Sequence, residues 1–252
     1  VAGATINVPS GGYRYIPFAF QYSGGVEALG GFRIERVEFA DPLPLTEGFN
    51  WIERFLSEQS VPLTAFCACE LRSPGQFSDA GFDEFNRHYA ATLRRLGIMS
   101  DDNNPVARSN VVPDPRSQSE PSIHAFCFAR PSPGGAPSFV IAGSGEAGDG
   151  PAPYRERTVR FGDTSPDAMC EKALFVLARL EQRMSMFDTG WADTTATQVY
   201  TVHDFHPFVA DAILRRGAAR HGLTWHLARP PVVGLEYEMD CRAVPLEHHI
   251  RV

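Results

Sequence analysis

Arg108 lies in the stretch Val106 to Val112, with Ser109 and Asn110 directly after it. A guanidinium so placed can grip both oxygens of a carboxylate in one plane, and the hydroxyl and amide can add single hydrogen bonds. It can also close an ion pair at a strand edge, which is the plainer account from the residues alone. Glu70 follows Phe66-Cys67-Ala68-Cys69 in an otherwise apolar run. Desolvation there would raise its pKa toward the range of a general acid or base, unless a neighbouring arginine claims it as an ion pair. Arg72 could hold a second carboxylate or stand as a solvated charge. Glu146 follows Gly143-Ser144-Gly145 and is the rival acid/base; the Ser144-Gly145 turn could also present backbone N–H groups to developing negative charge. His124, between Ile123 and Ala125, reads more simply as a hydrogen-bonded core histidine than as a substrate contact. Together these residues suit the binding of a carboxylate and the movement of a proton.

Other chemistries find less support. A zinc deaminase needs His-x-Glu and Pro-Cys-x-x-Cys, and neither occurs. Cys67 and Cys69 are two apart on an expected strand, so both thiols should point to one face, into the core. His203 and His206 have no acidic or cysteine partners at metal-ligand spacing. The glycine-rich stretches at 132–135 and 143–150 lack the Lys-Ser/Thr of a phosphate loop, and no Gly-x-Ser-x-Gly elbow appears.

The elements that must position these residues can be read from periodicity. Phe32 to Phe39 alternates as a half-buried strand. Thr46 is placed to cap a helix bearing Phe49, Ile52, Phe55 and Leu56. Leu63 to Leu71 reads as a strand. Ser78 opens a helix with Phe82, Phe85, Tyr89, Leu93 and Leu96 on one face. Val106–Val112 and Ile123–Phe128 read as strands. After the Pro/Gly-rich linker Arg130 to Pro137, the order restarts: a strand at Phe139–Ala142, a helix behind Ser165-Pro166, a strand at Thr195–Val202, a helix from His206-Pro207, and strands at Leu223–Leu227 and Leu235–Ala243. Both halves thus run strand, helix, strand, helix, strand, strand.

The chain has 252 residues, 43% of them apolar, and a formal net charge of −7. That is enough for two domains of about 120–130 residues with sizeable cores. It gives no basic stripe for nucleic acid. The five cysteines, Cys67, Cys69, Cys127, Cys170 and Cys241, are widely spaced in apolar surroundings, as expected of reduced thiols in a cytoplasmic protein. Val1 to Ser10 shows no secretory pattern, and no run approaches the roughly 20 apolar residues of a membrane span.

The order of elements resembles the Rid-type (YjgF-like) family. Asn104-Pro105-Val106-Ala107-Arg108-Ser109-Asn110 resembles its Pro-Ala-Arg strand entry, Ser144-Gly145 its Ser-Gly turn, Val199-Tyr200-Thr201-Val202-His203-Asp204 its Val-Tyr-Leu-x-Asp strand, and Glu238-Met239-Asp240-Cys241 its acidic closing strand. Residues 16–25, 66–74 and 104–113 are similar to the two-domain 2-aminomuconate deaminases, over most of the chain.

The resemblance implies an α+β fold: a tandem duplication of the Rid-type (chorismate-mutase-like) unit, mixed sheet with helices on one face, divided as 1–131 and 138–252. It implies a cofactor-independent, metal-free hydrolase that deaminates an unsaturated amino dicarboxylate, chlorinated or not, in aromatic-compound degradation, and an assembly of three chains with sites in the clefts between them. On this basis Arg108 becomes the carboxylate clamp and a catalytic residue with Glu70 or Glu146; Arg72, Ser109, Asn110, His124, Ser144 and Gly145 become substrate contacts. The sequence departs from the family at Leu223-Thr224, where the second arginine would stand, and at Ser122 and His124, where the first closing strand would be acidic. The two halves are therefore expected to divide the work of one site. Alternatives are a chorismatase-like lyase or hydrolase, and a non-catalytic small-molecule binder.

Overall fold

The computed structural model describes residues 5–116, 118–135 and 137–252. The expected linker includes Ala136, and the N-terminal stretch read for a leader includes residues 1–4; these positions lie outside the described residues. In chain order the strands are β1 (Ile6–Val8), β2 (Tyr13–Tyr15), β3 (Gly25–Ala28), β4 (Phe32–Pro44), β5 (Phe66–Arg72), β6 (Ala107–Pro113), β7 (Ser122–Pro131), β8 (Phe139–Gly145), β9 (Ala196–Tyr200), β10 (Thr224–His226), β11 (Ala228–Arg229), β12 (Glu238–Ala243) and β13 (Leu246–Ile250). The helices are α1 (Leu45–Glu58), α2 (Asp79–Arg95), α3 (Tyr154–Arg157), α4 (Pro166–Ser185) and α5 (His206–Phe208).

Two mixed sheets result. One has seven strands in the order β1-β2-β3-β8-β12-β9-β10; the other has six, β11-β6-β5-β7-β4-β13. The sheets face one another across a layer of small and aromatic side chains, with Tyr13, Tyr15, Val26 and Ala142 from the first meeting Ile34, Cys67, Ala68, Ala107 and Cys127 from the second. The outer face of the six-stranded sheet is covered by α1 and α2 through Phe49, Ile52, Leu56, Phe82, Phe85, Tyr89 and Leu93. That of the seven-stranded sheet is covered by α4 through Met169, Ala173, Val176, Leu177 and Leu180.

This arrangement corrects the expectation of a tandem Rid-type duplication. Each sheet draws strands from both ends of the chain. β1 to β3 complete the sheet built on β8, β12 and β9, while β13 pairs in parallel with β4, Leu246 opposite Glu35 and Ile250 opposite Phe39. Local periodicity could not reveal this, because β1 and β2 have three residues each and the pairings are long-range.

Local details follow the chemistry of the termini. Ser78 Oγ accepts from Gly81 N at 3.2 Å, and Ser165 Oγ from Ala168 N, so both helices begin where their caps stand. Thr46 caps nothing. β4 runs through Pro44 straight into α1, and the Leu45 N–H is satisfied by the carbonyl of Pro121 at 3.1 Å. The helix expected from His206 breaks into short turns of different pitch that end at Gly217, whose φ of 81° suits glycine. Cys67 and Cys69 face opposite sides, Cys67 into the layer between the sheets and Cys69 toward α2. A register shift between Phe66 and Ala68 interrupts the alternation that would have aligned them.

Candidate active site

A cavity of about 250 Å³ opens where the upper ends of β6, β8 and β12 meet. Arg108 and Asn110 enter it from β6, Gly143, Ser144 and Gly145 from β8, and Glu238 from β12; Phe82 comes from α2 and Arg183 from α4. The loop Phe18 to Tyr22, the segment holding Tyr154 and Arg157, and Val232 and Leu235 complete its walls.

Arg108 is 3% exposed. Its Nη2 donates to Asn86 Oδ1 at 2.7 Å, and its guanidinium lies 4.8 Å from the ring centre of Tyr89 and 5.2 Å from that of Tyr22. The aromatic cage fixes the plane of the fork. Its Nη1 is buried without a hydrogen-bond partner. Asn110 is held through its Oδ1 by the Ser73 hydroxyl at 2.9 Å, which leaves its Nδ2 unpartnered. Gln21 Oε1 is a third such atom. Of the seven buried side-chain atoms without partners among the described residues, these three belong to residues on the wall of this one cavity. Buried polar atoms normally find partners, so three orphans in one cavity mark a place built for a polar ligand. Arg183 is buried across the cavity, with its guanidinium 5.0 Å from the Phe18 ring centre and its Nη1 donating to the Ala142 carbonyl at 2.9 Å.

Glu238 is the buried carboxyl on the cavity wall. Burial pushes its carboxyl up to about 8, and the charge of Asp240 adds to this; Arg108 and the Asn110 backbone N–H pull the other way. A carboxyl that titrates near neutrality can both give and take a proton. It packs on Gly143 so closely that a Cβ there would run into Glu238 Oε1 and stand 2.9 Å from Ser109 Cβ. Gly143→Ala is therefore expected to displace the carboxyl and press β8 away from β6 at Ser109, cutting turnover at least tenfold and lowering the melting temperature, which kinetics paired with thermal melts would check.

The other expected site residues lie elsewhere. Glu70 is buried between the sheets, where Arg36 Nε and Nη2 donate to its two oxygens at 2.6 and 3.0 Å. Burial pushes this carboxyl up, but the charge and hydrogen bonds of Arg36 outweigh it and hold Glu70 well below the usual range. The expectation of a raised pKa missed Arg36 because that residue comes from β4, 34 positions away. Removing one partner of such a pair leaves the other uncompensated, so Arg36→Met should destabilise the fold by about 3–5 kcal/mol at pH 7 in denaturant titrations. Because the folded Glu70 pKa is depressed, its contribution is full above its ordinary value of 4.5 and fades as pH falls below it.

Arg72 sits in the same layer, 3.7 Å from Glu70 and facing the Tyr200 ring at 5.7 Å. His124 is beside Glu38 at 3.9 Å; burial first, then the charge of Arg72, lowers its pKa to about 4, so it is neutral at pH 7. Glu146 is fully buried, accepting from Lys172 Nζ at 3.3 Å and from the N–H groups of Glu236 and Tyr237 at 2.7 and 3.2 Å. It ties α4 to the end of β8 and does not line the cavity. Ser109 is buried beside Asp240, behind the cavity wall. Thus Arg108, Asn110, Ser144 and Gly145 come together, whereas Glu70, Arg72, His124, Glu146 and Ser109 stay outside the cavity.

Sequence reasoning assigned no role to Glu238, Arg183, Tyr22 or Gln21. Two of them carried a signal. Arg183 falls three residues after Leu180 and seven after Val176, on the buried stripe of α4. Glu238, Asp240 and Arg242 alternate with Met239, Cys241 and Ala243, placing acids on the inner face of a doubly buried strand.

A deep cavity with a caged arginine and a near-neutral carboxyl, at the junction of two facing sheets, defines a small-molecule enzyme site. Residues 5–248 match the family model described as 2-aminomuconate deaminase CnbZ. The chain is 49% identical over 239 residues to a 2-amino-5-chloromuconate deaminase of Comamonas testosteroni, covering 94% of this chain and 95% of that protein. The chain belongs to this deaminase family and is an enzyme acting on a C–N bond. Among solved structures it is similar to a chorismatase, with a TM-score of 0.53 and 11% identity over 92% of this chain and 77% of that one. This likeness concerns the fold alone, and it replaces the tandem Rid-type assignment. Among the described residues, no group of three or more His, Cys, Asp or Glu is placed to hold a metal ion, and no helix is long and apolar enough to cross a membrane.

Proposed function

We propose that this deaminase hydrolyses the enamine of a 2-aminomuconate-type dicarboxylate, with Arg108 as carboxylate clamp and Glu238 as the acid/base. The observation that carries the reading is the set of unpartnered donors, Arg108 Nη1 and Asn110 Nδ2, on the wall that also holds Glu238. One substrate carboxylate takes these donors. Arg183 across the cavity supplies the charge for the other, in place of Arg72. Gln21 Oε1 accepts from the amino group. The apolar wall of Phe18, Phe82, Val232 and Leu235 has room for a chlorine on the diene.

The protonated Glu238 gives its proton to the enamine carbon and forms an iminium. The resulting carboxylate takes a proton from water as the water oxygen bonds to the iminium carbon. The carboxyl then protonates the amine as the C–N bond breaks, and recovers a proton from the hydroxyl as the carbonyl forms. Ammonia and a 2-oxo dicarboxylate leave, and Glu238 returns to its starting form.

Ammonia release from 2-aminomuconate, its 5-chloro derivative and an analogue lacking the distal carboxylate tests the reading. Turnover of the first two, with the third at least 100-fold poorer, is expected. Equal turnover of the truncated analogue would remove the case for a dicarboxylate site.

A further inference from the structure

The acid in this site has a companion that touches no ligand. Glu238, Asp240 and Arg242 share the inner face of β12, and Asp240 is 5% exposed behind the cavity wall. Tyr200 Oη donates to Asp240 Oδ2 at 2.9 Å and Gln198 Nε2 to Oδ1 at 2.8 Å. Gln198 Oε1 is in turn engaged by His226 Nε2 at 2.9 Å, and the His226 ring stacks on Tyr200 with centroids 4.9 Å apart. Burial, and after it the charge of Glu70, raises the Asp240 pKa, while the hydrogen bonds of Gln198 and Ser109 and the charge of Arg242 favour the charged form.

We propose that Asp240 is a positioning residue for the deamination: its buried negative charge, fixed by Tyr200 and Gln198, keeps Glu238 in the proton-carrying form that the first step uses. This rests on the assignment of Glu238 as the acid. The groups facing Glu238 are Asp240 on its own strand, Arg108 and the Asn110 N–H on β6, Glu146 beyond β8, Arg183 on α4 and Tyr22 in the loop. Glu146 is offset by its partner Lys172. The cations and the N–H favour the charged form of Glu238; Asp240 opposes them most strongly among the neighbouring charges, and Glu146 adds less. Asp240 itself faces Glu70 on β5, Ser109 on β6, and Arg242. Glu70 is neutralised by Arg36, and Arg242 is paired with Glu247 at 2.8 Å.

The pH profile of kcat separates this role from a structural one. Loss of the like charge makes Glu238 ionise more readily, so the alkaline limb should move to lower pH in Asp240→Asn, by up to about one pH unit for two carboxyls two residues apart on one strand face. Asp240→Glu keeps the charge and should keep the limb in place even if kcat falls. Should Asp240→Asn not fold, Tyr200→Phe removes one donor that holds the charge, and should move the limb in the same direction by less. A limb that coincides with wild type in Asp240→Asn, or in Tyr200→Phe where only that variant folds, overturns the proposal. Glu238→Gln distinguishes the two layers of inference. If that variant keeps both turnover and the alkaline limb, the acid assignment fails; if it loses them while Asp240→Asn leaves the limb unmoved, only the role of Asp240 fails.

Discussion

Glu238→Gln should lower kcat by about 10²- to 10⁴-fold, the range of a lost general acid/base, with little change in KM. Glutamine matches the shape of the neutral carboxyl that burial favours, so the cavity and the contact with Gly143 should survive. The pH dependence supplies the sign. The carboxyl titrates near 8, so wild-type turnover should fall above that pH as the acid is lost, and the residual activity of the variant should show no such limb. Stability should follow the same group. A carboxyl raised on folding favours the native state fully below its unfolded value of about 4.5, and this advantage is lost as pH rises through the folded value near 8. Wild-type melting temperature should therefore decline across that window more than the variant's. Steady-state kinetics and thermal melts across pH measure both effects.

Arg108→Ala carries the second large effect. It removes the fork that meets the substrate carboxylate, and losing one partner of a buried charged pair costs about 2–5 kcal/mol. That corresponds to a fall in kcat/KM of about 30- to 5,000-fold. Arg108→Lys should recover only part of it, because an ammonium cannot grip two oxygens in plane. Arg108 also lowers the Glu238 pKa, so the alkaline limb of the alanine variant should move to higher pH. A variant with near-wild-type kcat/KM would contradict the clamp.

The legible parts of the fold were those whose signals are local. Ser78 and Ser165 announce their helices because a cap acts within three residues of itself. Strands buried on both faces were legible in position but not in direction. β5 is buried at all seven residues, so nothing in Phe66 to Arg72 shows which side chains face the helices and which the other sheet. That ambiguity hid the fate of Glu70. Its setting was apolar in sequence, as expected, yet the residue that decides its charge, Arg36, arrives from another strand. The same limit explains the duplication. Periodicity suggested a repeated order of elements, but the pairings of β3 with β8 and of β13 with β4 join distant segments that no window of sequence compares.

In the site, the residues alone favoured an ion pair for Arg108, and the family resemblance made it a clamp candidate beside Asn110, Ser144 and Gly145; the cavity brings these four together. Glu238 was passed over because its closing strand could be read only as a likeness to a family pattern. It gains meaning when β12 is laid against β6 and Arg108 stands opposite. Glu146 shows the converse. Its place after the Gly143-Ser144-Gly145 turn suggested an acid/base, but Lys172, on the buried face of α4, draws it inward.

A crystal structure with muconate, the dicarboxylate diene lacking the amino group, tests the central claim most directly. One carboxylate should lie within hydrogen-bond distance of Arg108 Nη1 and Asn110 Nδ2, with the Glu238 carboxyl against the diene carbons. Muconate bound elsewhere, or bound in this cavity with Glu238 turned away from the diene, would contradict it.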